Sequence, residues 1–256
     1  MGLLNQIEKD GVLTIELNRP ELHNAFNAEL IIEATNLFKS LSQKDLRLVI
    51  LTGVGGSFCA GADLNWMSSM KTYTEDENFR DSKNLAAMFR ALNEVPMPVI
   101  GKINGHALGG GAGLVACCDY VIASSKALFG FTEARLGLIP AVISPYVMAK
   151  IGESHARAWF LSGERFDAAQ ARLMNLVHEV VSPEQLNEAT EAVVKRFLLA
   201  GPKAAREAKG LVFKVRVSQE VEYETCRRIS RLRISPEGQD GMQALLTKTK
   251  PSWVRS

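Results

Sequence analysis

Cys59-Ala60-Gly61-Ala62-Asp63 and Leu108-Gly109-Gly110-Gly111-Ala112-Gly113-Leu114 are two glycine-bearing stretches that could each present a free backbone N–H to a ligand. The first runs into an expected helix over Asp63–Ser69. The second follows the apolar strand Val99–Ile103 and leads into an expected apolar helix over Leu114–Cys118. The first-turn amides of a helix have no internal partner, and glycine allows close approach and positive φ. Two such donors aimed at one oxygen make an oxyanion hole, and one donor in such a site typically supplies roughly 2.7–4 kcal/mol of transition-state stabilisation. A glycine run after a strand also serves as a tight turn for close helix–sheet packing, so spacing alone leaves both readings open.

Other glycine motifs fail. Leu114 stands where G-x-G-x-x-G needs its third glycine. Pro96 stands where a phosphate loop ending in Gly101-Lys102 needs its first, and Cys59 where G-x-S-x-G around Ser57 needs its last. A nucleotide phosphate site and a serine hydrolase are disfavoured. The four cysteines, Cys59, Cys117, Cys118 and Cys226, form no C-x-x-C pair, and no histidine lies at zinc-ligand spacing from them, so no metal site is expected. Buried free thiols are the simple reading; Cys59 with His106 as base is a weaker one.

The elements that must position these stretches follow from periodicity and turn chemistry. Asp10-Gly11 between Leu3–Lys9 and Val12–Leu17 marks a hairpin. Asn27 caps a helix with the stripe Leu30, Ala34, Leu37, Phe38 and Leu41. Strands are expected at Leu46–Thr52, Val99–Ile103, Tyr120–Ser124, Ala127–Phe131 and Leu176–Val181, with a polar helix at Glu75–Glu94 ended by Pro96 and Pro98. Ser182-Pro183-Glu184-Gln185 reads as a capping box with proline at the first helical position. This is an α/β class chain, with residues 1–199 as the core and residues 200–256 as a helical appendage. Its 256 residues are 46% apolar and 23% charged, with 30 basic against 28 acidic residues and a net charge of +2. That balance gives no case for nucleic-acid or membrane binding. The cluster Arg227, Arg228, Arg231 and Arg233 reads as a solvated helix face or a subunit contact. Met1–Asp10 carries neither a secretory signal nor transit-peptide character, which makes the cytoplasm the expected location.

The series Asn18-Arg19-Pro20…Asn24-Ala25, Phe58-Cys59-Ala60-Gly61-Ala62-Asp63, Asn104-Gly105…Gly109-Gly110-Gly111…Cys118-Asp119 and Phe129…Glu133…Gly137…Pro140 resembles the crotonase (enoyl-CoA hydratase/isomerase) family over essentially the whole chain. The resemblance implies a crotonase-like spiral of ββα units with a C-terminal helical trimerisation region, assembled as a homotrimer or hexamer. It implies that the Ala62 and Gly110 amides polarise the thioester carbonyl of an acyl-CoA. CoA would dock across His23, Ala25, Ala60, Ala62, Asp63 and Leu64, with Gly110 and Gly113 at the acyl end. Coenzyme A is then part of the substrate, and no separate cofactor is expected.

A typical hydratase of that family has two glutamates. Glu133 matches the second, and Gly113 stands at the position of the first. One carboxylate suits a Δ3,Δ2-enoyl-CoA isomerase, which carries one proton between C2 and C4. It also suits a hydratase that takes a proton from water and returns it to the α-carbon. The stretches Gly109–Asp119 and Leu136–Tyr146 look like bacterial methylglutaconyl-CoA and isohexenylglutaconyl-CoA hydratases, of leucine and acyclic terpene breakdown. That implies a substrate with a distal carboxylate and a basic group to meet it. Glycine at 113 is expected to leave room in the site. Trp66, Met67 and Met70 line the acyl pocket or belong to the core. A non-catalytic acyl-CoA-binding protein is the reading from another class, and retention of Glu133 speaks against it.

Overall fold

The computed structural model describes residues 2–214 and 220–251. The chain opens with the hairpin β1 (Leu4–Lys9) and β2 (Val12–Leu17), whose two loop residues, Asp10 and Gly11, take φ of 52° and 74°. Two left-handed residues in a two-residue loop match the twist of the strands they join. Helix α1 (Ala28–Ser40) follows, capped by the Asn27 side chain, which accepts from the Leu30 N–H at 2.9 Å.

Three strand–strand–helix units then repeat. β3 (Leu48–Gly53) and β4 (Ser57–Cys59) lead into α2 (Leu64–Met70) and α3 (Glu75–Asn93). β5 (Val99–Ile103) and β6 (His106–Leu108) lead into α4 (Gly110–Cys117). β7 (Tyr120–Ser124) and β8 (Leu128–Gly130) lead through a 3-10 turn, Thr132–Leu136, into α5 (Ser144–Ser162), which breaks at Gly152. The first strand of each unit joins a large sheet of order β1-β2-β3-β5-β7-β10, parallel from β2 onward. The second joins a small sheet of order β4-β6-β8-β9. Each unit therefore spans both sheets, which makes the spiral of ββα units.

β9 (Arg165–Asp167), α6 (Ala168–Leu173), β10 (Glu179–Val181) and α7 (Leu186–Leu198) complete the α/β part. Three helices close the described chain: α8 (Pro202–Lys214), α9 (Glu220–Ile234) and α10 (Pro236–Thr247). They fold back on the chain that precedes them. α9 packs along α3, and α10 packs on α2 and on the Thr132–Leu136 turn. Arg233 on α9 pairs with Asp81 on α3 at 3.0 Å, and the Lys71 ammonium donates to Gln243 on α10.

The central strands are apolar runs buried on both faces, as parallel strands covered by helices must be: Leu48, Val49, Leu51, Val99, Ile100, Ile103, Val121 and Ile122 are all solvent-free. Several local expectations change. The helix expected from Leu114 begins at Gly110, so the glycine run is its first turn rather than a preceding loop. The strand expected over Leu176–Val181 is only Glu179–Val181. Ser182 makes no cap hydrogen bond; a 3-10 turn at Pro183–Gln185 precedes α7 instead, because proline here starts the tighter turn. Of the small sheet, only β8 was expected. Among the described residues, no helix is long and apolar enough to cross a membrane.

Candidate active site

The three parallel strands of the small sheet end side by side, and each hands the chain to one part of a single cavity of about 570 Å³. β4 delivers Ala60–Ala62, β6 delivers Gly109–Gly110, and β8 delivers Thr132–Glu133. Neighbouring parallel strands lie about 4.8 Å apart, so their C-terminal loops are held within a few ångströms of one another.

The Ala62 amide is aimed by its neighbours. Phe26 donates its N–H to the Gly61 carbonyl at 2.7 Å and accepts the Asp63 N–H at 2.8 Å. A residue bracketed in this way turns its own N–H and C=O to the opposite side. Ala62 thus faces the cavity, although it precedes the α2 cap and is not a first-turn residue as expected. The Gly110 amide is the first of α4, behind Gly109, whose φ of 51° and ψ of −121° suit only glycine. Among the described residues, neither the Ala62 nor the Gly110 N–H has a protein acceptor. The glycines permit the close approach. A Cβ on Gly61 would lie 2.9 Å from the Leu108 carbonyl oxygen, and one on Gly110 would lie 2.6 Å from the Phe26 ring.

Glu133 supplies the only carboxylate lining this cavity among the described residues. A Cβ on Gly109 would sit 3.5 Å from its Oε1, so the carboxyl lies against the turn that carries the Gly110 amide. Its Oε2 is out of solvent and has no hydrogen-bond partner. Burial pushes the carboxyl up to about 7, opposed only by a backbone hydrogen bond within the residue itself. A group that titrates there can both accept and return a proton near neutral pH. Cys59 is the opposite case: it is fully buried, and desolvation pushes its thiol up to about 12, so it stays a protonated thiol. His106, its proposed base, accepts the Leu128 N–H with Nδ1.

The other residues singled out from sequence divide into lining and framework. Ala60 and Leu64 line the cavity, Leu64 at its exposed rim, and Trp66, Met67 and Met70 line it from α2. Asp63, Ala25 and His23 do not line it. Asp63 is buried; one carboxylate oxygen caps Asn65 N–H and the other pairs with Arg19 at 2.8 Å. The Arg19 guanidinium also donates to the Ala25 carbonyl. His23 is exposed and fixes Ala60 through its carbonyl. Arg19 was not among the site residues singled out from sequence, and no local signal marks it, since Asn18, Glu21, His23 and Asn24 around it are polar and Asp63 lies 44 positions away. Arg19→Lys keeps the charge but loses the planar fork, so about 1–3 kcal/mol of stability should be lost, read as a lower urea midpoint with unchanged slope.

Gly113 also stands outside the cavity, and it leaves no room. A Cβ there would lie 2.3 Å from Ile143 Cγ2 and 3.0 Å from Phe89 Cε1. Ile143 lines the cavity in its place, so glycine at 113 and the bulky residue at 143 are one paired feature. Arg233, expected on a solvated helix face or at a subunit contact, is buried and lines the cavity; Arg231 is exposed and pairs with Glu75 at 3.2 Å, and the Arg228 side chain lies outside the described residues.

The family model described as enoyl-CoA hydratase/isomerase matches residues 7–256. The chain is similar to a solved enoyl-CoA hydratase from Shewanella pealeana at 34% identity and a TM-score of 0.81, covering 98% of this chain and 96% of that one. A solved enoyl-CoA hydratase from Mycobacterium avium aligns at 30% identity and a TM-score of 0.87, covering 99% and 100%. An enoyl-CoA hydratase of Alternaria alternata is 31% identical over 236 residues, 90% of this chain and 76% of that one. With its paired amides and single buried glutamate on the ends of the small sheet, the chain belongs to the enoyl-CoA hydratase/isomerase family.

Proposed function

We propose that this protein adds water across the 2,3 double bond of an enoyl-CoA of the glutaconyl type, such as 3-methylglutaconyl-CoA. The observation that carries the proposal is the desolvated Glu133 carboxylate, with its Oε2 unpartnered, beside the Gly109–Gly110 turn in a mostly apolar cavity. Ala62 and Gly110 amides hold the thioester oxygen. Glu133 takes a proton from water as the water oxygen bonds to C3, the C2=C3 π bond opens and its electrons move onto the thioester oxygen. The enolate then collapses, and Glu133 returns the proton to C2 on the same face. Charge on the thioester oxygen is greatest in the transition state, where preformed donors act most strongly. The names of the relatives, enoyl-CoA hydratases, support hydration over a bare double-bond shift.

A second reading, Δ3,Δ2-enoyl-CoA isomerase, is favoured by one observation: Glu133 is alone, and Ile143 fills the space beside Gly113. Purified protein incubated separately with crotonyl-CoA, a 3-enoyl-CoA and 3-methylglutaconyl-CoA separates the readings. Hydration of methylglutaconyl-CoA is expected. Double-bond migration without hydration establishes the isomerase, and binding without turnover establishes a non-catalytic acyl-CoA-binding protein. We further propose that residues 200–256 form the oligomerisation region of a homotrimer or hexamer, supported by the exposed Leu211 and Tyr223 on α8 and α9.

A further inference from the structure

The turn that carries Glu133 is braced from outside the α/β part of the chain. The Glu133 carbonyl accepts the Leu138 N–H at 3.0 Å and also the Gly137 N–H. Its backbone is thereby tied to Leu136–Leu138, and those residues lie directly against α10. A Cβ on Gly241 would stand 2.0 Å from the Leu136 carbonyl oxygen and 2.7 Å from Leu136 Cα. One on Gly137 would stand 2.5 Å from the Glu237 carbonyl oxygen, and one on Gly238 would stand 3.2 Å from Leu138 Cδ2. Gly238 and Gly241 are both buried. Two backbones therefore meet here with no side chain to cushion them.

Such a contact has little give. A side chain between two elements can change rotamer, whereas close-packed backbones pass a displacement from one to the other. The same helix also supplies Met242, which is solvent-free, and Leu245 to the wall of the cavity that Glu133 lines. α10 thus touches the catalytic turn and closes the cavity around its carboxyl. Of the cavity's charged groups, Arg135, Arg165 and Arg233, and of those on α10, Glu237 and Asp240, none is a cause of the raised Glu133 carboxyl; burial is.

We propose that α10 fixes the place of the Glu133 carboxyl and keeps it dry, with Gly238 and Gly241 as positioning residues that do not touch substrate. The inference rests on the reading of Glu133 as the acid/base.

Gly241→Ala tests it by inserting one methyl group between α10 and the turn. The rising limb of its kcat–pH profile should move from about 7 toward 4.5. Its plateau should fall about 100-fold, the cost of misplacing a catalytic group by about 1 Å. A merely structural role would lower the melting temperature and leave the limb where it is. A second readout needs no substrate. Glu133→Gln is made in the wild type and in Gly241→Ala, and the change in Tm that it produces at pH 8 should shrink by about half or more in the second background, where the carboxyl is already hydrated. Should Gly241→Ala fail to fold, Ser235→Ala takes its place. It removes the hydroxyl that accepts the Gly238 N–H at 3.1 Å, a cap whose loss a folded domain tolerates, and loosens the first turn of α10. The same shifts are expected there, in the same direction and smaller. An unmoved limb with an unchanged Tm difference in the folded variant overturns the inference. If the wild type turns over none of the three thioesters, the acid/base reading fails, and the melting comparison still decides whether α10 governs the carboxyl.

Discussion

Replacing Glu133 with glutamine should lower kcat by about two to four orders of magnitude, the range contributed by a positioned acid/base group, while leaving acyl-CoA affinity nearly unchanged. The same replacement should stabilise the protein above neutral pH. In the unfolded chain the carboxyl ionises near its ordinary value of 4.5, and in the folded chain only at about 7. Below the lower value both states are protonated and the burial carries no penalty. Between the two, the unfolded chain has released its proton and the folded one has not, so stability falls as pH rises. Above about 7 the full penalty is present, about 3 kcal/mol from the difference between the two values. Glutamine has no proton to lose and escapes it. The melting temperatures of wild type and Glu133→Gln should therefore converge near pH 4.5 and separate by roughly 6–12 °C at pH 8. Parallel curves would mean that Glu133 is solvated in the folded protein. Near-normal turnover would remove it from the chemistry altogether.

Gly113→Glu is expected to unfold the protein rather than to supply the second carboxylate of a typical hydratase. The added Cβ alone would meet Ile143 Cγ2 at 2.3 Å and Ile143 Cβ at 2.9 Å, with Phe89 closing the other side. Neither Ile143 Cβ nor an aromatic ring is a flexible tip that can swing away. Overpacking of this kind costs about 1–3 kcal/mol. An unpaired carboxylate forced between Ile143 and Phe89 adds several more. The sum, about 5 kcal/mol or above, rivals the whole stability of a typical domain. Urea denaturation should show either no folded baseline or a large fall in midpoint. Gly113→Glu with Ile143→Gly removes the clash, and that pair should recover folding and raise hydration of crotonyl-CoA. A single variant as stable as wild type and faster on crotonyl-CoA would show that Ile143 yields and that packing does not set this position.

Much of the framework was legible because it repeats. The Asp10-Gly11 hairpin, the Asn27-capped α1 and the buried runs of β3, β5 and β7 follow from turn chemistry and periodicity that a single chain displays. Resemblance carried the spiral, the Ala62 and Gly110 amides and Glu133; whether those groups act as proposed is for the experiments above.

What sequence could not show were features made by contact between distant segments. β4, β6 and β9 are three residues each, too short for any alternation to register, yet β4 and β6 form the sheet that sets the two amide loops and Glu133 together. Ala62 owes its orientation to Phe26, 36 positions earlier, through two backbone bonds that no side chain advertises. Arg19 and Asp63 read as cap and motif residues, and only their burial turns them into a clamp. Gly113 looked like empty space because a sequence records the missing side chain and not the Ile143 that occupies its volume. Arg233 sits in a charged run that reads as a wet face or a subunit contact, but α9 turns Arg233 inward against Asp81. The chain determined by itself which residues could do chemistry; packing decided which of them face the same cavity, because burial and orientation belong to pairs of segments and not to either one.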